Sequence, residues 1–409
     1  MILAIKIASI ILALIVLLRF KVDLALTIFI LSFYTVLLFG VRLETALIES
    51  AKVMIDAKTI QLLIITTMVL YVESVQRSRH MFDKLISSLN SVMRDKRIVA
   101  LVAPAIIGFL PLMGGALISA PLVDVSTKNM NIKPEFKAFI NYWFRHPWEY
   151  VWPVYASLVI FEMLSGIPLK TIILYQAPFT LLNIVTGLTI TGIYFKRHHV
   201  KREVPKEIKT FTETVKDFFQ GIWPLLLIIV LFFFVSVPLH ITMLIVAAVL
   251  TFFQRLSPKE IFAMFFTKPT WRIVVVIGAV MVFQHMIEIS NAFKSLNAMH
   301  MSVVSVVAFS FLVSFSMGFL TGVNTAFIAI AFPILLPLIK HLSPDRFLPI
   351  SLYVFVIGFA GILLSPLHLC LVLTNEYFKS SLYKVYYYLL PPGIFLSVIA
   401  TVLALTLRF

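Results

Sequence analysis

The chain has 409 residues, 60% of them hydrophobic and 13% charged, with a mean hydropathy of +1.01, a balance that excludes a soluble globular domain. Its net charge of +15 does not point to nucleic acid as a partner, because the basic residues sit in short loops between apolar runs, where they orient membrane spans. Cys370 is the only cysteine, which excludes a disulfide framework and leaves almost no room for a metal centre built on thiolates.

Apolar runs of roughly 16 to 25 residues recur from end to end, each about the length a helix needs to cross the hydrocarbon of a bilayer. They are continuous and do not alternate in period 2, so helices and not a barrel are expected. The run from Ile2 resembles a signal peptide, but no small-residue cleavage site follows. Arg19, Lys21 and a second apolar run come next, so it is expected to be the first membrane helix. Further elements are expected from near Asp23, Thr59, Ile98, Lys137 and Pro168. After a polar stretch they resume near Gly221, Leu239, Trp271, Ser302, Phe347 and Leu382. Shorter amphipathic pieces lie at Leu43 to Ile55 and Ser257 to Phe266.

The two sets of six follow one plan. Each fourth element carries glycines followed by a proline, GGALISAPLVD from Gly114 and GVNTAFIAIAFPIL from Gly322. Each fifth is interrupted by a polar residue and a proline, His146-Pro147 and Ser365-Pro366. Ile2 corresponds to Gly221, Thr59 to Trp271, Gly115 to Gly322 and Pro147 to Pro366, at a nearly constant offset, as an internal repeat requires. The expected fold is therefore an all-α polytopic membrane protein: a first repeat over 1–195, a basic linker over 196–220 and a second repeat over 221–409.

If each fourth element is a re-entrant hairpin, each repeat crosses five times, and an odd number inverts the second repeat. Most of the 34 Lys and Arg then fall on one side, including the loops around Arg77 to Arg97 and Lys128 to Lys137 and the linker. The positive-inside rule makes that side cytoplasmic. A multi-pass protein of the cytoplasmic (inner) membrane, with both termini outside, is the expectation.

A proline inside a membrane helix frees backbone groups that lipid cannot satisfy, so broken helices survive there only when buried in protein or lining a cavity. Their half-helix ends carry partial charge and suit an anion beside a small cation. The candidate substrate-binding residues are Gly114, Gly115 and Ser119 on the first hairpin with Asn141, Arg145 and His146 at the first break. Gly322, Asn324 and Thr325 on the second hairpin join Ser365 and His368 at the second break. Glu149, Asn324 and Asp124 are the candidate ion-coupling groups. Each has a plainer alternative: glycines for close helix packing, Arg145 and Glu149 as a structural pair, His146 and His368 as satisfied polar groups, Asp124 as a cap or surface residue. His285 and Glu288 share a helical face near a span end, where interfacial contact is the expectation.

The segments Gly108 to Asp124 and Gly361 to Phe378 carry a resemblance. Paired repeats with a hairpin and a broken helix resemble the ion-transporter superfamily of divalent-anion/sodium symporters and citrate, gluconate and arsenite permeases. They are most similar to its branch of conserved integral membrane proteins numbered four hundred and one among the domains of unknown function. In the symporters, Ser-Asn-Thr signatures at the hairpin tips contact substrate carboxylate and sodium. Here Val323-Asn324-Thr325 matches with Val in place of Ser, and the first hairpin has Gly-Gly-Ala-Leu, a departure from the signature on which a second sodium site and a dicarboxylate preference rest. The resemblance also implies a homodimer and a transport domain that moves as a unit.

No HExxH, GxSxG or Gly-rich phosphate loop is present, so no enzyme is expected. The expected function is secondary active transport of a small organic anion, coupled to Na+ or H+, with Na+ as the candidate bound ion. A cation/proton antiporter that uses Glu149 with His146 or His368 is the alternative.

Overall fold

The computed structural model describes residues 2–20, 22–93, 95–109, 115–203, 210–290 and 302–407, and among these residues there are helices and no strands. In chain order they are α1 (Ile2–Arg19), α2 (Leu24–Leu38), α3 (Leu43–Met54), α4 (Ala57–Ser78), α5 (Met81–Val92), α6 (Lys96–Gly108), α7 (Ala116–Ser126), α8 (Pro134–Trp143), α9 (Ala156–Ser165) and α10 (Leu169–Arg197). Then follow α11 (Phe211–Ile229), α12 (Leu239–Phe253), α13 (Pro258–Phe265), α14 (Lys268–Ile289), α15 (Val303–Thr321), α16 (Asn324–Lys340), α17 (Pro344–Leu363), α18 (Leu369–Phe378) and α19 (Leu382–Thr406). Seven helical stretches, in α4, α10, α11, α14, α15, α17 and α19, are long and apolar enough to cross a membrane. This is a multi-pass helical membrane protein.

The helix starts are written locally. Asp23, Asp56 and Asp95 each accept a backbone N–H two residues on, at 2.9 to 3.0 Å, satisfying donors that the first helical turn leaves unpaired. Thr210 with Glu213 and Ser257 with Glu260 form reciprocal capping boxes that open α11 and α13.

Burial separates the helices into two kinds. In α17, 89% of the most apolar stretch is buried, against 33% in α10 and in α19, so α17 runs through the interior while the other two show one side to lipid. Around α17 pack α15, α16 and α19. Phe161 of α9 stacks on Phe355 at 5.6 Å and meets Phe332 of α16 at 4.6 Å, which joins the two halves of the chain through aromatic contact. Leu174, Leu181, Phe252 and Tyr383 are exposed apolar side chains on apolar helices, the outer face expected in a bilayer.

α15 and α17 approach each other across glycines. A methyl on Gly318 would strike the Gly358 carbonyl, and one on Gly361 the Phe315 carbonyl. Helices in membranes gain by such close backbone contact, since lipid offers no hydrophobic driving force between them.

The short α6 and α7 pack on each other, and the longer α15 and α16 pack on each other on either side of Gly322, whose φ is +60°. The packed pairs α6–α7 and α15–α16 stand where hairpins are expected, although α15 alone has the length of a span. Both fifth elements are broken as expected: the chain leaves the helix between α8 and α9 and again between α17 and α18.

Two features differ from the reading of the sequence. The segment after Arg79 holds α5, an amphipathic helix packed on α11, whose apolar residues recur at helical spacing in a stretch short enough to pass for a basic loop. The helix expected from Gly221 begins at Phe211, because the Thr210 capping box starts it before the apolar run. The described part of the linker is anchored: Lys96 donates from its backbone to the Glu203 carbonyl, and its Nζ lies 3.0 Å from the Glu203 carboxylate.

Candidate functional site

Pro147 lacks a backbone N–H, so helical bonding fails at that point. The His146 amide donates to the Trp143 carbonyl, and the His146 Nδ1 takes the Tyr142 carbonyl at 2.6 Å. After a 3-10 turn over Pro147–Tyr150, the helix resumes at α9. The freed carbonyl of Pro147 accepts the Thr180 hydroxyl from α10 at 2.9 Å. Trp148 and Tyr155 donate to Ala105 and Gly108 at the end of α6. The break is therefore buried, as unpaired backbone at membrane depth requires.

At the second break, Ser365 has both roles of its hydroxyl filled: it donates to the Phe319 carbonyl at 2.5 Å and accepts the Leu367 amide at 3.1 Å. That ties the break to α15. His368 follows at the start of α18, and its Nδ1 lies 2.7 Å from the Gly322 carbonyl on the second hairpin. A side chain at Gly322 would collide with the His368 backbone, so glycine here serves both its positive φ and the close approach.

The two breaks face each other. His146 Nε2 and His368 Nε2 are 3.1 Å apart, and Cys370 Sγ joins the two rings, one ring nitrogen of each and the sulfur lying within 4.8 Å of one another in a buried cluster. Arg145 Nη1 donates to Cys370 Sγ at 2.9 Å. Glu149 reaches His146 at 3.7 Å through Oε1, and its Oε2 accepts the Asn324 amide at 2.9 Å. The cluster draws Arg145, His146 and Glu149 from the first half and Gly322, Asn324, His368 and Cys370 from the second. Ionisable groups at this depth are costly and usually mark a site.

Other candidates fall around this centre. Gly115 stands against Arg145: a Cβ there would be 2.5 Å from Nη2. Asn141 is fully buried and bridges the Ala116 carbonyl, at 3.2 Å, and Thr374 of α18, at 3.0 Å. Thr325 is half-buried beside Asn324 in the first turn of α16. Ser119 turns its hydroxyl back onto the carbonyls of its own helix, and Ser365 is spent on the backbone. Asp124 pairs with Lys137 at 2.8 Å with its side chain half exposed, apart from the cluster, which is the surface-type role among its two alternatives. Gly114 lies outside the described residues. His285 Nε2 lies 3.0 Å from Glu49 of the amphipathic α3, and its Nδ1 lies 3.7 Å from Glu288.

The residue that sequence reasoning passed over is Cys370. A thiolate count of one argued against a metal centre, and the two imidazoles that surround it come from distant parts of the chain. Its position two residues after His368 was the available signal. Tyr142 and Thr374 were also passed over; Tyr142 donates to the Leu363 carbonyl at 3.1 Å and tightens the contact between the breaks.

Residues 3–407 match the family model described as protein of unknown function (DUF401). The chain belongs to that family. Among curated proteins there is no match. The matched residues include both breaks and every residue of the cluster.

Proposed function

We propose that this protein is a secondary active transporter that carries a small organic anion across the cytoplasmic membrane, coupled to Na+ or H+. The observation that carries this reading is the meeting of the two breaks, which gathers a guanidinium, two imidazoles and a carboxylate in one buried place lined by both halves of the chain. A lipid-embedded structural protein has no use for groups this expensive to bury. Arg145 supplies the positive charge for an anion. Glu149 with His146 and His368 supplies sites for a proton. Asn141 and Asn324 each keep a buried amide oxygen with no donor among the described residues, the ligand type a hard cation such as Na+ takes.

In this reading the halves are inverted repeats, each with five crossings and one re-entrant hairpin. The order of elements supports it: two helices, an amphipathic helix (α3, α13), a long helix (α4, α14), a hairpin, a broken helix and a final long helix occur in both halves. The packing is reciprocal as well, α7 against α18 and α16 against α9. The distribution of Lys and Arg supports a cytoplasmic linker with both termini outside. Resemblance to the ion-transporter superfamily supports a homodimer and an elevator-type movement of the cluster with both hairpins.

The test is uptake of small carboxylates by reconstituted protein under imposed Na+ or proton gradients. Gradient-dependent uptake that Arg145→Ala abolishes, while the variant stays folded, is the expected result. Normal uptake by that variant would remove the anion assignment. A second reading, cation/proton antiport, is favoured by the Glu149–His146–His368 chain, which needs no organic substrate. It would show as alkali-cation-dependent proton movement in empty vesicles, lost in Glu149→Gln.

A further inference from the structure

His146 and His368 each direct Nδ1 at a backbone carbonyl, Tyr142 at 2.6 Å and Gly322 at 2.7 Å. A carbonyl can only accept, so Nδ1 carries the proton in both rings. In two neutral imidazoles both Nε2 atoms then present bare lone pairs, and the structure sets these 3.1 Å apart. Two lone pairs at that distance repel unless a cation lies between them. A proton would serve, but it has no need of a third ligand.

Cys370 Sγ is that third atom, within 4.8 Å of a ring nitrogen of each histidine. From these three atoms the structure assigns a binding site for a thiophilic divalent cation of the Zn2+ class, with His146 Nε2, His368 Nε2 and Cys370 Sγ as ligands. Zn–N bonds of about 2.0–2.1 Å and a Zn–S bond of about 2.3 Å put the ligand atoms of a tetrahedral site roughly 3.3 to 3.6 Å apart. The two nitrogens are already near that spacing, and a small inward movement of the sulfur completes the triangle.

The surroundings are those of a ligand set and not of a chance meeting. Metal-bound imidazoles are held by a partner on the other ring nitrogen, which fixes tautomer and orientation; here both rings are held so, by carbonyls from different elements. Arg145 donates to the sulfur. Three protein ligands leave the fourth position open, as in exchangeable sites. When the ion binds, the Cys370 thiol gives up its proton to solvent and a metal–sulfur bond forms, with no redox change. The ion ties the first break to the second. The assignment does not rest on the transport reading, since it concerns binding alone.

Purified full-length protein, stripped with a chelator, is titrated with Co2+ and then with Zn2+. One Co2+ per chain is expected, with tetrahedral d–d bands and a thiolate charge-transfer band that Zn2+ abolishes. Zn2+ should also raise the melting temperature. Cys370→Ser should remove the charge-transfer band and most of the Zn2+-dependent shift while melting like the parent without metal. His146→Gln and His368→Gln should weaken binding by more than the roughly 10- to 100-fold that loss of a supporting partner costs. His285→Gln, at the separate Glu49 cleft, should change none of this. No binding, or binding that survives Cys370→Ser and disappears in His285→Gln, overturns the assignment.

Discussion

His146 and His368 meet Nε2 to Nε2 at 3.1 Å across 222 positions of sequence, each ring held on its far side by a carbonyl. The contact joins the first helix break to the second, so the two rings act as a unit. Alanine at either position should destabilise the protein. The double variant should differ from the sum of the singles by about 0.5–3 kcal/mol, the range for residues in one network. Denaturant unfolding in detergent of the four proteins measures it, and strict additivity would show that the rings do not communicate.

Gly318 and Gly115 should respond differently to alanine. At Gly318 the new methyl meets the Gly358 backbone carbonyl, so α15 and α17 must separate, at a cost of roughly 1–3 kcal/mol. At Gly115 it meets the far end of Arg145, a flexible chain that can swing aside. Gly115→Ala should therefore melt close to the parent yet lose anion uptake, whereas Gly318→Ala should lose melting temperature. Equal melting losses for the two would contradict the contrast.

Glu149→Gln keeps an amide oxygen for Asn324 and removes the carboxylate. Stability should change by no more than about 0.5–1.5 kcal/mol, the scale of one hydrogen bond, while uptake driven by a proton gradient is lost. Retained uptake that still follows a Na+ gradient would move the coupling to the amide oxygens of Asn141 and Asn324.

Asp95 caps α6, outside the stretches long and apolar enough to cross a membrane. Burial pushes its carboxyl up, but the Arg97 guanidinium and backbone N–H outweigh this and hold it below the ordinary Asp range. A carboxyl depressed in the folded state stabilises the fold above its unfolded value, near pH 4, and stops doing so as acid protonates it. Asp95→Ala should cost about 1 kcal/mol at neutral pH for the cap alone. The gap in melting temperature between parent and variant should hold from neutral pH down to about pH 4 and close below it. A gap that widens in acid would contradict this origin.

Much of the site is legible in the order of residues. Pro147 and Pro366 announce the breaks, because a ring with no N–H ends helical bonding wherever it stands. Arg145, His146 and Glu149 stand out because charge is rare in apolar runs. Asp124 stands out for the same reason, yet its side chain is half exposed and paired with Lys137. The difference between it and Glu149 is depth in the folded protein, which a position near a span end does not report.

The amino-acid order by itself determined what depends on neighbours along the chain: the apolar runs, the caps at Asp23, Asp56 and Asp95, the places where helices must stop, and hence a multi-pass helical membrane protein. Tertiary structure alone decided which stops meet. Cys370 is one of many apolar-looking residues in a helix start until packing sets it beside His368, two positions away, and His146, from the other half. Hydrophobic periodicity specifies which face of a helix is buried, but the same face can pack against several partners. The choice among them rests on close fits such as Gly318 against Gly358 and Gly322 against His368, which exist only once both helices are in place.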